Sequence, residues 1–409
     1  MHKRILPILS AVFISLWLAA AAGASVAQGP AGSSFYNPAA VKLKGGAHGD
    51  PIWIRNGQSA LSIDGAARVL NIVYKSQSLA GKTIPVSGTI WVPKGTAPRG
   101  GWPVVSWGHG TTGSADACAP SRIADINSGS YTSYVFPTFN QWLNAGYAIV
   151  MTDYEGLGTP GVHPYLIGHS EGRGMIDIVK AAHKAVPAIG STWVASGHSQ
   201  GGHASMFAAA DAKSWGGGLT FKGVAAFAPA NNLKTTVIFA SGAIKTPNSI
   251  SGLGALILRS ITFADTKLKV TDIINPAALA IMPQLEQRCL GTNGLGAADS
   301  FGQFAPGNLL KSWNGSGWPN SKVKKALEDL NGPAMNSNVK VAGGPITIFQ
   351  GSADGTVAAF TTQALFGQLK TLNGAANVAY HEYPGVDHGG IVAAAADRAL
   401  NWFNVRFGK

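Results

Sequence analysis

Two serines stand in the pattern G-x-S-x-G, which can supply the nucleophile of a serine hydrolase. They are Ser170, in Gly168-His-Ser-Glu-Gly172, and Ser199, in Gly197-His-Ser-Gln-Gly201. A serine hydroxyl attacks an acyl carbon only when a base takes its proton, an acid orients that base, and hydrogen-bond donors stabilise the oxyanion. The chemistry indicated is therefore acyl transfer, for which a base, an acid and an oxyanion hole must also be found.

The residues around each motif favour Ser199 as the nucleophile. The nucleophile elbow requires a strand, a sharp turn and a helix, with small residues on both sides of the serine. Residues 192–196 predict a buried strand directly before Gly197, and a helix is predicted soon after it. The short segment before Gly168 is interrupted by Pro164. Ser170 is better explained as the N-cap of a helix, which is a structural role.

The order serine, acid, histidine of α/β-hydrolases points to Asp354 and His388. Asp354 follows a predicted buried strand over 346–349, and His388 lies between the last predicted strand and the last predicted helix. Asp387 is adjacent to His388 along the chain, which is poor geometry for orienting its ring. His381 lies inside the last strand and is expected to be structural. We therefore expect Ser199, Asp354 and His388 to form a catalytic triad.

The oxyanion hole should combine two backbone N–H groups. One belongs to Gln200, the residue after the nucleophile, and the other to the glycine-rich loop over 108–113. The residues alone leave Thr111 and Thr112 open as the second donor. The histidines beside these segments are expected to have supporting roles: His109, His198 and His203.

The elements needed to position these residues follow a regular order. Segments 68–76 and 84–92 predict an antiparallel hairpin, after which short apolar strands alternate with helices. This alternation predicts a mostly parallel central sheet flanked by helices. Together with the elbow motif and the order serine, acid, histidine, it predicts an α/β-hydrolase fold. More than a hundred residues, with apolar helical stretches, separate the strands at 227 and 346 and predict an inserted helical cap. The predicted divisions are a core over 28–230, a cap over 231–338 and the rest of the core over 339–409.

The N-terminus predicts a signal peptide over residues 1–27. Lys3 and Arg4 precede an apolar run over 5–22, and small residues end at Ala27. This arrangement favours a cleaved signal over a membrane anchor and implies secretion to the exterior or the periplasm. In such an oxidising compartment, Cys118 and Cys289 are expected to form one disulfide rather than remain two free thiols.

Charge and composition exclude several kinds of partner and cofactor. The net charge is +12 in full, and about +10 for residues 28–409, with 29 basic against 19 acidic residues. The basic residues are scattered singly, without the grooved basic-aromatic pattern of nucleic-acid binding, so no nucleic acid is expected. Histidines and acids do not cluster as metal ligands, the triad needs no cofactor, and no obligate protein partner is indicated.

The sequence resembles the secretory lipase family from about residue 35 to its C-terminus. The resemblance is carried by four segments in order: Trp107-Gly-His-Gly-Thr-Thr-Gly-Ser-Ala-Asp-Ala-Cys-Ala-Pro-Ser121, Asp153-Tyr-Glu-Gly156, residues 168–174, and Gly197-His-Ser-Gln-Gly-Gly202. It implies that Thr112 supplies the second oxyanion donor, at a position where the family can have aspartate. It also implies the Cys118–Cys289 bridge and a cap that shapes an acyl pocket. Asp153, Tyr154 and Glu155 are expected to support the site from below.

These observations together predict a secreted carboxylic-ester hydrolase, a lipase or esterase, acting on small-molecule or lipid esters. Transient contact with lipid interfaces stays open. One alternative is a polyester depolymerase or a peptidase with the same triad. Another is a non-catalytic binding protein on a hydrolase fold, against which the intact set of serine, acid and histidine argues.

Overall fold

A nine-stranded sheet forms the centre of the structure, a computed structural model that describes residues 26–123, 132–242, 249–289, 309–311 and 321–409. The strands are β1 Pro51–Asn56, β2 Ala66–Gln77, β3 Thr83–Pro93, β4 Trp102–Gly108, β5 Ala148–Thr152, β6 Ile189–His198, β7 Thr220–Phe227, β8 Ile346–Gly351 and β9 Val378–Tyr383. Their spatial order is β1-β2-β3-β5-β4-β6-β7-β8-β9. Three pairings, along β1-β2-β3-β5, are antiparallel. The other five are parallel, so the predicted hairpin and mostly parallel sheet are confirmed.

Helices connect the strands and cover the sheet. They are α1 Phe136–Asn144, α2 Gly168–Ala185, α3 Gln200–Trp215, α4 Leu233–Gly242, α5 Ser249–Ala264, α6 Val270–Ile273, α7 Pro276–Ile281, α8 Ser321–Asp329, α9 Ala359–Asn373, α10 Gly390–Ala394 and α11 Ala396–Phe407. Because α2 begins at Gly168, Ser170 lies inside its first turn and Ile167 is the N-cap. The prediction that Ser170 is an N-cap is therefore wrong.

Both faces of the sheet are buried, as the alternation of strands and helices predicts. Successive residues of a strand point to opposite faces. Val104 of β4 packs in one cluster with Met175 of α2 and residues of α3. The next residue, Val105, packs in a second cluster with Phe139 of α1 and Phe403 of α11. This two-sided packing holds the carboxyl ends of the strands, where the motif residues lie, on a rigid base.

The segment between β7 and β8 contains α4 to α8 and has a hydrophobic cluster of its own. In α5, Leu253, Leu256, Ile257 and Ile261 are buried in it at helical spacing. The cluster also takes in Tyr165, Leu166 and Ile167, which precede α2 in the core. The apolar stretch over 273–285 is not one helix, because Pro276 lacks an N–H and begins the separate helix α7.

Candidate active site

Ser199 lies at a sharp turn between β6 and α3. Its backbone has φ 59° and ψ −116°, a conformation that L-residues rarely adopt. The flanking glycines make the turn possible, since a Cβ on Gly197 would lie 2.3 Å from the Gly201 carbonyl oxygen. A Cβ on Gly201 would lie 1.8 Å from the carbonyl oxygen of Gly108. The strained serine with small neighbours is the geometry of a nucleophile elbow.

Ser170 lies in a different setting. The segment before it is a turn and not a strand, and its backbone is helical. Its hydroxyl donates a hydrogen bond of 2.5 Å to the Glu155 carboxylate. The G-x-S-x-G motif at Ser170 therefore joins α2 to the segment after β5 and forms no elbow.

The structure brings Asp354 and His388 together. Asp354 follows β8, and its Oδ2 lies 2.7 Å from His388 Nδ1. The other carboxylate oxygen accepts the backbone N–H groups of Thr356 and Val357, each at 2.8 Å. The Asp354 side chain is fully buried, so these bonds fix its orientation. The carboxylate holds the proton on Nδ1 and leaves Nε2 as the basic nitrogen of His388.

His198 connects the elbow to the loop that carries His388. Its Nε2 lies 2.8 Å from the His388 carbonyl oxygen and therefore donates, so its Nδ1 accepts from the Tyr134 hydroxyl at 2.6 Å. Burial, with the neighbouring His388, lowers the pKa of His198 well below its usual value, and the ring is neutral. Among the described residues, the Ser199 hydroxyl makes no hydrogen bond to His388. His198, the residue before Ser199, has its ring centroid 4.5 Å from that of His388, so the elbow and the His388 loop are in contact.

The loop after β4 carries the two threonines considered for the oxyanion hole. Thr111 Oγ1 is 2.7 Å from the Tyr165 hydroxyl, so this hydroxyl is already engaged. Thr112 is buried, and its hydroxyl has no hydrogen-bond partner in the described part of the chain. A buried hydroxyl without a partner is costly unless it serves a ligand. Of these two hydroxyls, only that of Thr112 is available to a ligand in the described part of the chain.

A disulfide joins this loop to the segment that follows α7. Cys118 and Cys289 are bonded, with their Cα atoms 5.3 Å apart. Gly113 forms an isolated antiparallel bridge with Cys289, and the Ser114 hydroxyl donates to the Leu285 carbonyl at 2.9 Å. The bridge expected from the sequence therefore lies directly beside the threonine loop.

The acidic motif after β5 lies below the site. Asp153 is fully buried, and its carboxylate accepts from the hydroxyls of Ser87, at 2.6 Å, and Ser121. Burial raises the pKa of this carboxyl. The Tyr154 hydroxyl donates to the His109 carbonyl at 3.0 Å, which supports the loop before Thr111. Burial lowers the pKa of His109 to about 4, so its ring is neutral.

Three residues near the site carry no sequence motif that would have revealed them. Tyr134, His163 and Tyr165 contact His198, Gln200 and Thr111 respectively. His163 and Tyr165 belong to the short aromatic segment directly before α2, and that position is the one signal that could have found them. Their contacts are tertiary, so no spacing within the sequence predicts them.

A small cavity opens beside Ser199 and is bordered by the segment between β7 and β8. It has a volume of about 30 Å³ and is lined by Leu253 and Ile257 of α5. A neighbouring groove of about 170 Å³ shares Asn231, Thr236, Thr356 and Val357 with it and extends toward Ile250 and Phe360. Within the described ranges, no three histidine, cysteine or acidic side chains are arranged to hold a metal ion.

The sheet order and the sharp turn between β6 and α3 define an α/β-hydrolase fold. The sequence profile of the secretory lipase family matches residues 125–409, and the chain belongs to this family. It is thus a hydrolase of the lipase and esterase class, with an ester as its small-molecule substrate. No curated protein sequence matches the chain.

Two solved structures show the likeness of the fold. Candida antarctica lipase A in its closed state superposes with a TM-score of 0.68 at 18% identity, over 88% of this chain and 83% of that chain. The rice cell wall degrading esterase LipA from Xanthomonas oryzae superposes with a TM-score of 0.66 at 19% identity, over 88% of this chain and 98% of that chain. The shared fold is therefore nearly complete, although the sequences have diverged widely.

Proposed function

We propose that the protein is a secreted serine carboxylic-ester hydrolase in which Ser199 forms an acyl-enzyme. The observation that carries the proposal is the Asp354–His388 hydrogen bond, connected through His198 to a strained serine. His388 acts as the base and Asp354 orients it. The backbone N–H groups of Gln200 and Thr112 are the oxyanion donors in this proposal.

The reaction proceeds in two acyl-transfer steps. In the first, Ser199 Oγ attacks the ester carbonyl while His388 Nε2 takes its proton, and the proton then goes to the departing alcohol. In the second, His388 takes a proton from water, the water oxygen attacks the acyl-enzyme, and Ser199 recovers its proton as the carboxylic acid leaves. The buried Asp354 carboxylate stabilises the imidazolium formed in each step.

In this proposal the Thr112 hydroxyl is a third oxyanion donor, beside the backbone N–H groups of Gln200 and Thr112. Its Oγ1 is buried without a partner in the described part of the chain, while the neighbouring Thr111 hydroxyl is already bonded to Tyr165. A hydroxyl rotates freely, so it can donate to an oxygen that arrives with the substrate. We therefore assign it to the oxyanion of the tetrahedral intermediate.

The cap segment over 231–338 supplies the wall of the acyl site in this proposal. Leu253 and Ile257 of α5 line the cavity at Ser199, and Ile250 lines the groove that continues from it. These side chains are aliphatic, so they favour the acyl chain of an ester over a charged group.

Secretion is supported by two observations. The family is one of secretory lipases, and a disulfide joins two distant parts of the chain. Among the described residues, no helix has the length and apolar character needed to cross a bilayer. Of the signal peptide predicted over 1–27, residues 1–25 lie outside the described ranges. Its cleavage after Ala27 is part of the proposal.

The test compares Ser199→Ala with Ser170→Ala on p-nitrophenyl butyrate, beside a matched peptide anilide. We expect Ser199→Ala to abolish ester turnover and Ser170→Ala to retain most of it, because only Ser199 lies in an elbow. Activity on the anilide alone would favour a peptidase, and inactivity of the wild type on all esters would favour a binding protein. Retained turnover by folded Ser199→Ala protein would overturn the assignment.

A further inference from the structure

The G-x-S-x-G motif at Ser170 contains a buried acid, Glu171, that the proposed mechanism does not use. Glu171 lies in the first turn of α2 and is fully buried. Its Oε1 accepts the Leu166 N–H at 2.8 Å and the Gln200 side-chain amide at 2.7 Å. Its Oε2 lies 3.2 Å from His203 Nδ1. No lysine or arginine of the described ranges lies within ion-pair distance of this carboxylate. Burying an acid without a lysine or arginine partner costs stability, so its presence here indicates that it serves a purpose.

The Gln200 amide is held in one orientation by two acceptors. His163 Nδ1 lies 2.9 Å from the Glu155 carbonyl oxygen, so this nitrogen carries the proton. Burial lowers the pKa of His163 to about 3, so the ring is neutral and its Nε2 is an acceptor. Gln200 Nε2 lies 2.9 Å from that nitrogen and also reaches Glu171 Oε1. Both amide protons of Gln200 are therefore used, and a flipped amide would place its oxygen against the carboxylate.

One proton lies between Glu171 and His203. His203 Nε2 is 3.0 Å from the Met335 carbonyl oxygen and must donate to it. His203 Nδ1 and Glu171 Oε2 can then form a hydrogen bond only if they share a proton. Glu171 thus serves Gln200 and Leu166 as an oriented acceptor, and a net negative charge is not needed for this purpose.

Glu171 Oε1, which binds the Gln200 amide, also holds one wall of the cavity at Ser199. Leu166 has φ 56° and lines the cavity that contains Ser199. Its N–H is bound by Glu171 Oε1, the atom that also binds Gln200. A left-handed conformation at a leucine requires such support. Glu171 therefore connects the residue after the nucleophile to the wall opposite it.

We propose that Glu171 is a positioning residue. This proposal rests on the proposed function and deepens it. Through its bonds to the Gln200 side chain and the Leu166 N–H, Glu171 places the Gln200 backbone N–H where the oxyanion forms. Gly201, the residue after Gln200 in α3, is held by its close contact with the Gly108 backbone. The orientation of the Gln200 backbone N–H then depends on how the Gln200 side chain is held. Misplacing one oxyanion donor by about 1 Å lowers turnover on the order of 100-fold.

The experiment measures kcat and KM on p-nitrophenyl butyrate for three variants. Glu171→Leu keeps the volume but removes the acceptor, and we expect kcat to fall roughly 10- to 100-fold with KM changed less than about threefold. Glu171→Gln can accept from Leu166 and Gln200 and donate to His203 Nδ1, so kcat should recover to within about threefold of wild type. Gln200→Leu should lose kcat to a similar extent, and Glu171→Leu should then add little in that background.

The matched control is Asp177→Leu, a fully buried acid on the same helix that bonds to His48, Ser76 and Trp215, away from Ser199. It should lower the melting temperature as Glu171→Leu does and leave kcat per folded molecule unchanged. A kcat of Glu171→Leu close to wild type, or no recovery in Glu171→Gln, would overturn the proposal. Absence of ester turnover in the wild type would instead overturn the proposed function, and the role of Glu171 with it.

Discussion

Ser170 and Ser199 stand in the same five-residue pattern, with histidine before each serine. What separates them is the backbone, which is helical at Ser170 and strained, with φ 59°, at Ser199. The sequence could predict this difference, because a strand pattern precedes only the second motif. The N-cap prediction for Ser170 failed because α2 begins two residues earlier, at Gly168. The start of a helix without a capping side chain is difficult to locate from sequence.

Single buried histidines make stability depend on pH. Burial lowers the pKa of His109 from 6.5 to about 4, so unfolding takes up a proton between these values. The contribution of the neutral His109 ring to the free energy of unfolding is therefore complete above about pH 6.5 and is lost as the pH falls toward 4. The unfolding free energy of wild type relative to His109→Asn should therefore fall by about 1.4 kcal/mol per pH unit across this window. Urea unfolding at several pH values measures the difference, and parallel curves for the two proteins would contradict it.

At the scale of elements, the disulfide joins the threonine loop to the segment between β7 and β8. The bonded cysteines are 171 residues apart, so the chain-entropy model gives a stabilisation of about 5 kcal/mol. We expect Cys118→Ser to lower the unfolding free energy and also kcat, because Gly113 beside Thr112 pairs with Cys289. Unfolding curves and p-nitrophenyl butyrate kinetics test this expectation. A variant that is less stable but fully active would show that the bridge does not position the oxyanion loop.

The contact between α5 and the cavity at Ser199 predicts a preference for longer acyl chains. Each methylene that enters an apolar site gains up to about 0.8 kcal/mol. The value of kcat/KM should therefore rise from p-nitrophenyl acetate toward butyrate and octanoate, and level off where the groove ends. Ile257→Trp, which fills the cavity beside Ser199, should abolish the rise. A steady fall beyond acetate in the wild type would indicate an esterase for small or polymeric substrates.

For the whole molecule, the sequence predicted the architecture more fully than the site. Local sequence patterns predicted the apolar strand over 346–349 and the hairpin over 68–92. The structure has these elements as β8, and as β2 with β3. The order of motif residues along the chain suggested the pairing of Asp354 with His388. The contacts of Tyr134, His163 and Glu171 could not be predicted, because they depend on which loops the folded sheet brings together. The partner of a buried polar side chain is a property of the tertiary structure.

The most direct test of the account is to locate the nucleophile covalently. A fluorophosphonate reacts with an activated serine and remains bound to it, so digestion and tandem mass spectrometry identify the modified residue. We predict one phosphonyl group per folded molecule, on Ser199, with no labelling of Ser199→Ala and normal labelling of Ser170→Ala. Labelling on Ser170, or none in the active wild-type protein, would contradict the central claim.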